Sequence, residues 1–139
     1  MALIGSCKGN NQVQNPIPYI PVNRTININD PQYVKLQQLN GFVYLPNEGY
    51  RGVVVMNDNQ DGFVAFDQAC TYETDRECSK VVFDENGWYL QCGHFDAGEF
   101  LPCCNSRFDR FGGVTQGPAV IPLKQYQVHV NGPVLTIQN

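Results

Sequence analysis

The sequence predicts an all-β domain with one short helix. Three observations predict it. Short apolar or alternating runs recur at regular spacing from residue 22 onward. Aromatic residues make up 12% of the chain and Val and Ile are frequent, a composition that suits pleated, half-buried surfaces. Nine prolines and thirteen glycines punctuate the runs and mark the turns between them.

The chain of 139 residues is expected to hold one domain, residues 22–139, behind a tether at residues 1–21. Within the tether, Ile4-Gly5-Ser6-Cys7 looks like a bacterial lipobox: an aliphatic residue, two small residues and a Cys that would be acylated. Lys8 to Gln14 is polar, and Asn15 to Pro21 contains three prolines, so the segment is expected to be extended. On this reading a lipid on Cys7 anchors the protein to a membrane, and the domain folds in the bacterial cell envelope.

The elements follow in order. Val22 to Ile28 alternates, with Val22, Arg24, Ile26 and Ile28 on one face, and reads as a half-buried strand. Asp30-Pro31 supplies an N-cap and a first helical residue, and Tyr33, Leu36 and Leu39 share a helical face. Phe42 to Leu45, Gly52 to Met56 and Phe63 to Phe66 are strands, the last two joined across Asn57 to Gly62. Val81 to Phe83 and Trp88 to Cys92 form a hairpin across Asn86-Gly87. Gly93 to Gly98 is expected to be a loop, and a strand begins at Glu99. Gln127 to Val130 and Val134 to Ile137 form a terminal hairpin. Tyr19, Tyr33, Phe42, Tyr44 and Trp88 are expected to be core or edge residues.

Composition excludes several functions. Net charge is −4 and no Lys/Arg cluster occurs, so nucleic acid is not an expected partner. No apolar run reaches the roughly 18–20 residues that cross a bilayer. With two His and no Gly-x-Ser-x-Gly, nothing supports a nucleophilic enzyme, and Gly112-Gly113 reads as a turn rather than a phosphate loop. Asp84 and Glu85 sit at a turn as solvated charges, and His129 lies in an alternating strand. Six cysteines in a chain of this length point to disulfides, metal ligands or both.

Residues 101–123, LPCCNSRFDRFGGVTQGPAVIPL, resemble the second half of a Rieske [2Fe–2S] domain. Pro102, Cys103, Ser106, Phe108, Asp109, Gly113, Gly117, Pro118, Ala119, Pro122 and Leu123 carry the resemblance. Upstream, Ala65-Phe66-Asp67 followed by Cys70-Thr71 is similar to the approach to the first ligand loop of that family. The resemblance implies a Rieske-like fold of stacked antiparallel sheets and four ligand positions: Cys70, Tyr72, Leu101 and Cys104. A Rieske centre takes two Cys on one iron and two His on the other. Only Cys70 keeps its ligand; Tyr72 and Cys104 stand where His is expected and Leu101 where Cys is expected.

What the resemblance implies is therefore a domain related to electron carriers but free of the cluster, acting as a binding or structural module with an envelope protein as partner. No cofactor and no enzymatic activity are expected. Some Rieske proteins bridge their two ligand loops with a disulfide, which implies Cys78–Cys103 here with Cys70 and Cys104 as a second candidate pair, although four cysteines allow three pairings and the sequence does not choose among them. Cys92 would then be the free thiol, and Cys92-Gly93-His94 reads as a strand end and an exposed loop His. Two alternatives stand beside this reading. One is an electron carrier with an iron–sulfur cluster held mainly by Cys; the other is zinc on Cys70, Cys78, Cys103 and Cys104.

Overall fold

The computed structural model describes residues 15–58 and 62–139. Cys7 and its lipobox, with the polar run before Asn15, lie outside the described residues.

Among the described residues, ten strands form two antiparallel sheets. The six-stranded sheet has the order β1 (Asn23–Asn27), β10 (Val134–Gln138), β9 (Gln125–Asn131), β4 (Gly62–Asp67), β3 (Val53–Asp58) and β2 (Phe42–Leu45). The four-stranded sheet runs β5 (Val81–Phe83), β6 (Leu90–Asp96), β7 (Glu99–Phe108), β8 (Val114–Gln116). Two cores result. Val53 and Val55 point into one, with Ile26, Leu36 and Ile137; Val54 and Met56 point into the other, with Phe66, Leu90 and Phe108. This explains the unbroken apolar run Val53-Val54-Val55-Met56: a strand buried on both faces needs no polar alternation.

The expected helix is a 3-10 helix, Pro31–Gln37. Asp30 caps it by accepting from the Gln32 N–H at 3.2 Å, and Tyr33 and Leu36 are buried. Spacing of three stacks these two side chains on one face. Leu39 leaves that face, because the chain is already extended at Gln38, and it is 54% exposed.

The region 88–98 departs from expectation. Trp88 is 67% exposed and the strand starts only at Leu90. The Asp84 carboxylate accepts the Trp88 and Tyr89 N–H groups at 2.7 and 3.1 Å, which keeps Trp88 in the turn. Tyr19 is likewise exposed, at 68%. The expected loop from Gly93 is strand instead: β6 continues to Asp96 and turns into β7 through Ala97 and Gly98, both at positive φ (52° and 84°). That pair closes a two-residue hairpin of the type usually made by Asn-Gly, so the sequence signal was weak. Among the described residues, no helix is long and apolar enough to cross a membrane.

Candidate functional site: a three-thiol centre beside a disulfide

The first loop leaves β4 at Asp67, a buried carboxylate that organises everything after it. Its Oδ2 accepts from the Tyr50 N–H and the Tyr126 hydroxyl, both at 2.7 Å. Its Oδ1 accepts from the N–H of Arg51 at 3.1 Å and of Ala69 at 2.9 Å. Four donors on two oxygens satisfy a charge that would otherwise be costly to bury. Burial, and then its bond to Asp67, raises the Tyr126 phenol above its ordinary range.

Farther along, the Arg51 guanidinium donates to the carbonyls of Thr74, Arg76 and Glu77 at 3.1, 2.8 and 3.0 Å. The Cys70 carbonyl accepts from the hydroxyls of Thr74 (3.0 Å) and Ser79 (3.3 Å). Thr71 donates to the Ile121 carbonyl, tying this loop to the Gly117-Pro118-Ala119 step. The loop is thus held by its own polar groups and presents Cys70 to the second core.

The second half of the site is built on β7. Register jumps from the pair Gly93–Pro102 to the pair Gln91–Arg107, so Cys92 alone faces residues 103–106. The extra residues bulge away from β6. Gly93 permits this: its φ is 146°, and a Cβ there would lie 2.3 Å from the Leu101 carbonyl oxygen. From the bulge, Cys103 forms a disulfide with Cys78 of the first loop, with the two Cα atoms 5.5 Å apart. Its neighbour Cys104 turns inward. Its thiol lies 3.2 Å from the Ser106 hydroxyl, which in turn accepts the Ala119 N–H at 2.9 Å. Downstream, Asp109 accepts from the N–H groups of Phe111 and Gly113 at 2.8 and 2.9 Å and closes the next turn. The residues that carry the sequence resemblance therefore have structural work independent of any cluster.

Cys70, Cys92 and Cys104 are free thiols whose sulfurs all lie within 4.8 Å of one another. Cys70 and Cys92 are fully buried and Cys104 is half-buried. Cys70 is the stronger acid, with its thiol lowered to about 6. The cause is chiefly hydrogen bonding from Cys92, opposed by burial and assisted by the Tyr72 backbone, Ser79 and Cys104. Cys92 is pushed up, first by its bond to Cys70 and then by burial. Cys70 and Cys92 are thus pushed in opposite directions by the bond between them.

The four frame positions fare differently. Cys70 and Cys104 meet. Tyr72 is partly buried against the apolar core, and Leu101 is 38% exposed, opposite His94 on β6. Neither can stand as the imidazole or thiolate its position requires. Cys70 and Cys104 stand as free thiols together with Cys92. Of the four cysteines considered for zinc, Cys78 and Cys103 are bonded to each other, and Cys70 and Cys104 are free thiols. His94 is exposed, and a hollow beside it is lined by Glu77, Cys78 and Lys80. His129, on β9, borders a hollow of about 690 Å³ with Phe63, Phe111 and Tyr126. Neither histidine belongs to the sulfur group.

Cys92 is the residue that sequence reasoning left aside. Its alternation with buried Leu90 already placed it on the inward face. Its meeting with Cys70 and Cys104 depends on the bulge, which leaves no mark in spacing.

The fit of a [2Fe–2S] cluster can be judged on this donor set. Ligands on two irons must span the width of the cluster, whereas three sulfurs within 4.8 Å of one another fit around a single centre. With no imidazole in the group and Leu101 facing outward, the residues do not fit the His₂Cys₂ arrangement.

Two sandwiched antiparallel sheets, with loops clamped at the end of β4 and on β7, define a Rieske-like fold. The plasma membrane Rieske protein PetC3 of the cyanobacterium Synechocystis PCC 6803 superposes with a TM-score of 0.57 at 21% identity, over 87% of this chain and 100% of that one. The ferredoxin of carbazole 1,9a-dioxygenase from Nocardioides aromaticivorans IC177 superposes with a TM-score of 0.51 at 21% identity, over 86% of this chain and 98% of its own. No protein-family model matches the sequence, and no curated protein matches it.

Proposed function

We propose that this chain is a Rieske-fold module that works without the family's cluster, as a non-enzymatic binding or structural domain of a bacterial envelope lipoprotein. The observation that carries the reading is the fate of two ligand positions. Tyr72 is packed against the core and Leu101 faces outward on a continuous strand. A disulfide and a close group of thiols take the place where two ligand loops would grip iron. The lipobox-like Ile4-Gly5-Ser6-Cys7 supports a lipid anchor on Cys7, with an envelope protein as the domain's partner. The Synechocystis neighbour is a plasma membrane protein, which agrees with a membrane-associated setting.

A second reading keeps electron transfer, through an iron–sulfur cluster held mainly by Cys. It is favoured by the three sulfurs that the fold brings together. Visible absorption and electron paramagnetic resonance on protein purified without oxygen separate the two. The cluster-free module shows no visible band and no signal on reduction. A band with a reducible paramagnetic signal would make it an electron carrier.

A further inference from the structure

We propose that Cys70, Cys92 and Cys104 form a binding site for a single zinc ion, with a water as fourth ligand. The site rests on the cluster-free reading above, since the same sulfurs cannot serve both.

The donor set comes first. All three donors are sulfur, and thiolates select soft or borderline ions over calcium and magnesium, which take oxygen. Geometry comes second. Tetrahedral zinc with Zn–S near 2.3 Å holds its sulfurs about 3.8 Å apart. The three sulfurs already lie within 4.8 Å of one another, so closure takes about 1 Å, shared among three side chains. Cys104 has room to supply much of it, because it sits on the bulge rather than in paired strand.

Charge selects the ion. Three thiolates around a monovalent copper ion would leave two uncompensated negative charges in the core. A divalent ion leaves one, and desolvation favours it. Access comes last. A hollow of about 130 Å³, bordered by Gln91, Pro102, Cys104, Asn105 and Ser106, gives solvent a route to Cys104. Cys70 and Cys92 are fully buried, so the Cys104 side is where the fourth ligand, a water, would enter.

The test uses the full chain with the Cys78–Cys103 disulfide intact, freed of metal and handled without oxygen. Cobalt(II) is the first probe. The expected result is one equivalent bound, with intense sulfur-to-cobalt absorption in the near ultraviolet, and complete displacement by one equivalent of zinc. X-ray absorption at the zinc edge should count three sulfurs and one lighter atom. Zinc should slow alkylation of the three thiols at least tenfold, and Cys104→Ser should weaken zinc binding about a hundredfold while His94→Ala leaves it unchanged. Four sulfurs or none at the zinc edge, or unaltered binding by a folded Cys104→Ser variant, would overturn the site. So would unhindered alkylation of the wild-type chain in excess zinc. The edge measurement on wild-type protein decides the matter even if Cys104→Ser does not fold. Absence of zinc binding leaves the cluster-free reading standing; iron with sulfide on these cysteines overturns both.

Discussion

Cys92 stands on β6 opposite the bulge of β7, and Cys104 is the bulge residue whose sulfur turns in to meet it. The neighbouring Cys103 is bonded instead to Cys78. Adjacent cysteines are thus divided between a covalent clamp and a thiol group, and that division shapes what can be tested.

The clamp is the first prediction. The Cys78–Cys103 bond closes a loop of 25 residues in the chain. Loop-closure entropy for that length is worth about 3.5 kcal/mol. Cys78→Ser should lower unfolding stability by about that much in urea titration, and Cys103→Ser by a similar amount.

The bulge gives the second. Gly93→Ala must place a Cβ 2.3 Å from a backbone oxygen, at a φ of 146°. A cost of about 3 kcal/mol or more is expected, with loss of the close approach among the thiols. Chemical denaturation measures the first effect and thiol reactivity the second. Unchanged stability would mean the register between β6 and β7 differs from the one described.

Asp67 supplies the third. Asp67→Asn puts an NH₂ group against two of the four donors now facing the carboxylate. It should cost about 2–4 kcal/mol. Tyr126→Phe removes one donor from a carboxylate that keeps three, and should cost about 1–2 kcal/mol. Urea midpoints check both.

Leu101 makes the contrasting case. It is 38% exposed and belongs to neither core cluster. Leu101→Ser should shift stability by less than about 1 kcal/mol and leave the thiol chemistry untouched. A strong effect on either would return this position to the site.

The anchor is the fifth. In a bacterial host the mature protein should carry acyl chains on Cys7 and fractionate with membranes, and Cys7→Ala should release it. Intact mass and fractionation measure this.

Much of this fold was legible because β-structure writes a short period into sequence. Val53 to Met56 announced a strand buried on both sides, and Asp30-Pro31 announced a helical start. The frame from Pro102 to Leu123 was legible because its polar residues close turns: Asp109 binds two N–H groups and Ser106 binds Ala119. The Ala97-Gly98 turn was not, since Ala rarely takes positive φ. The thiol group was only half legible. Cys70 and Cys104 followed from the frame, but Cys92 joins them through a register jump that spacing does not reveal.

The central claim is that the Rieske ligand positions no longer hold a cluster. Native mass spectrometry of the chain, made with cluster-assembly proteins present and kept from oxygen, tests it directly. The predicted result is a protein mass with one disulfide and no iron or sulfide. An added mass of two irons and two sulfides, lost together on acidification, would contradict it.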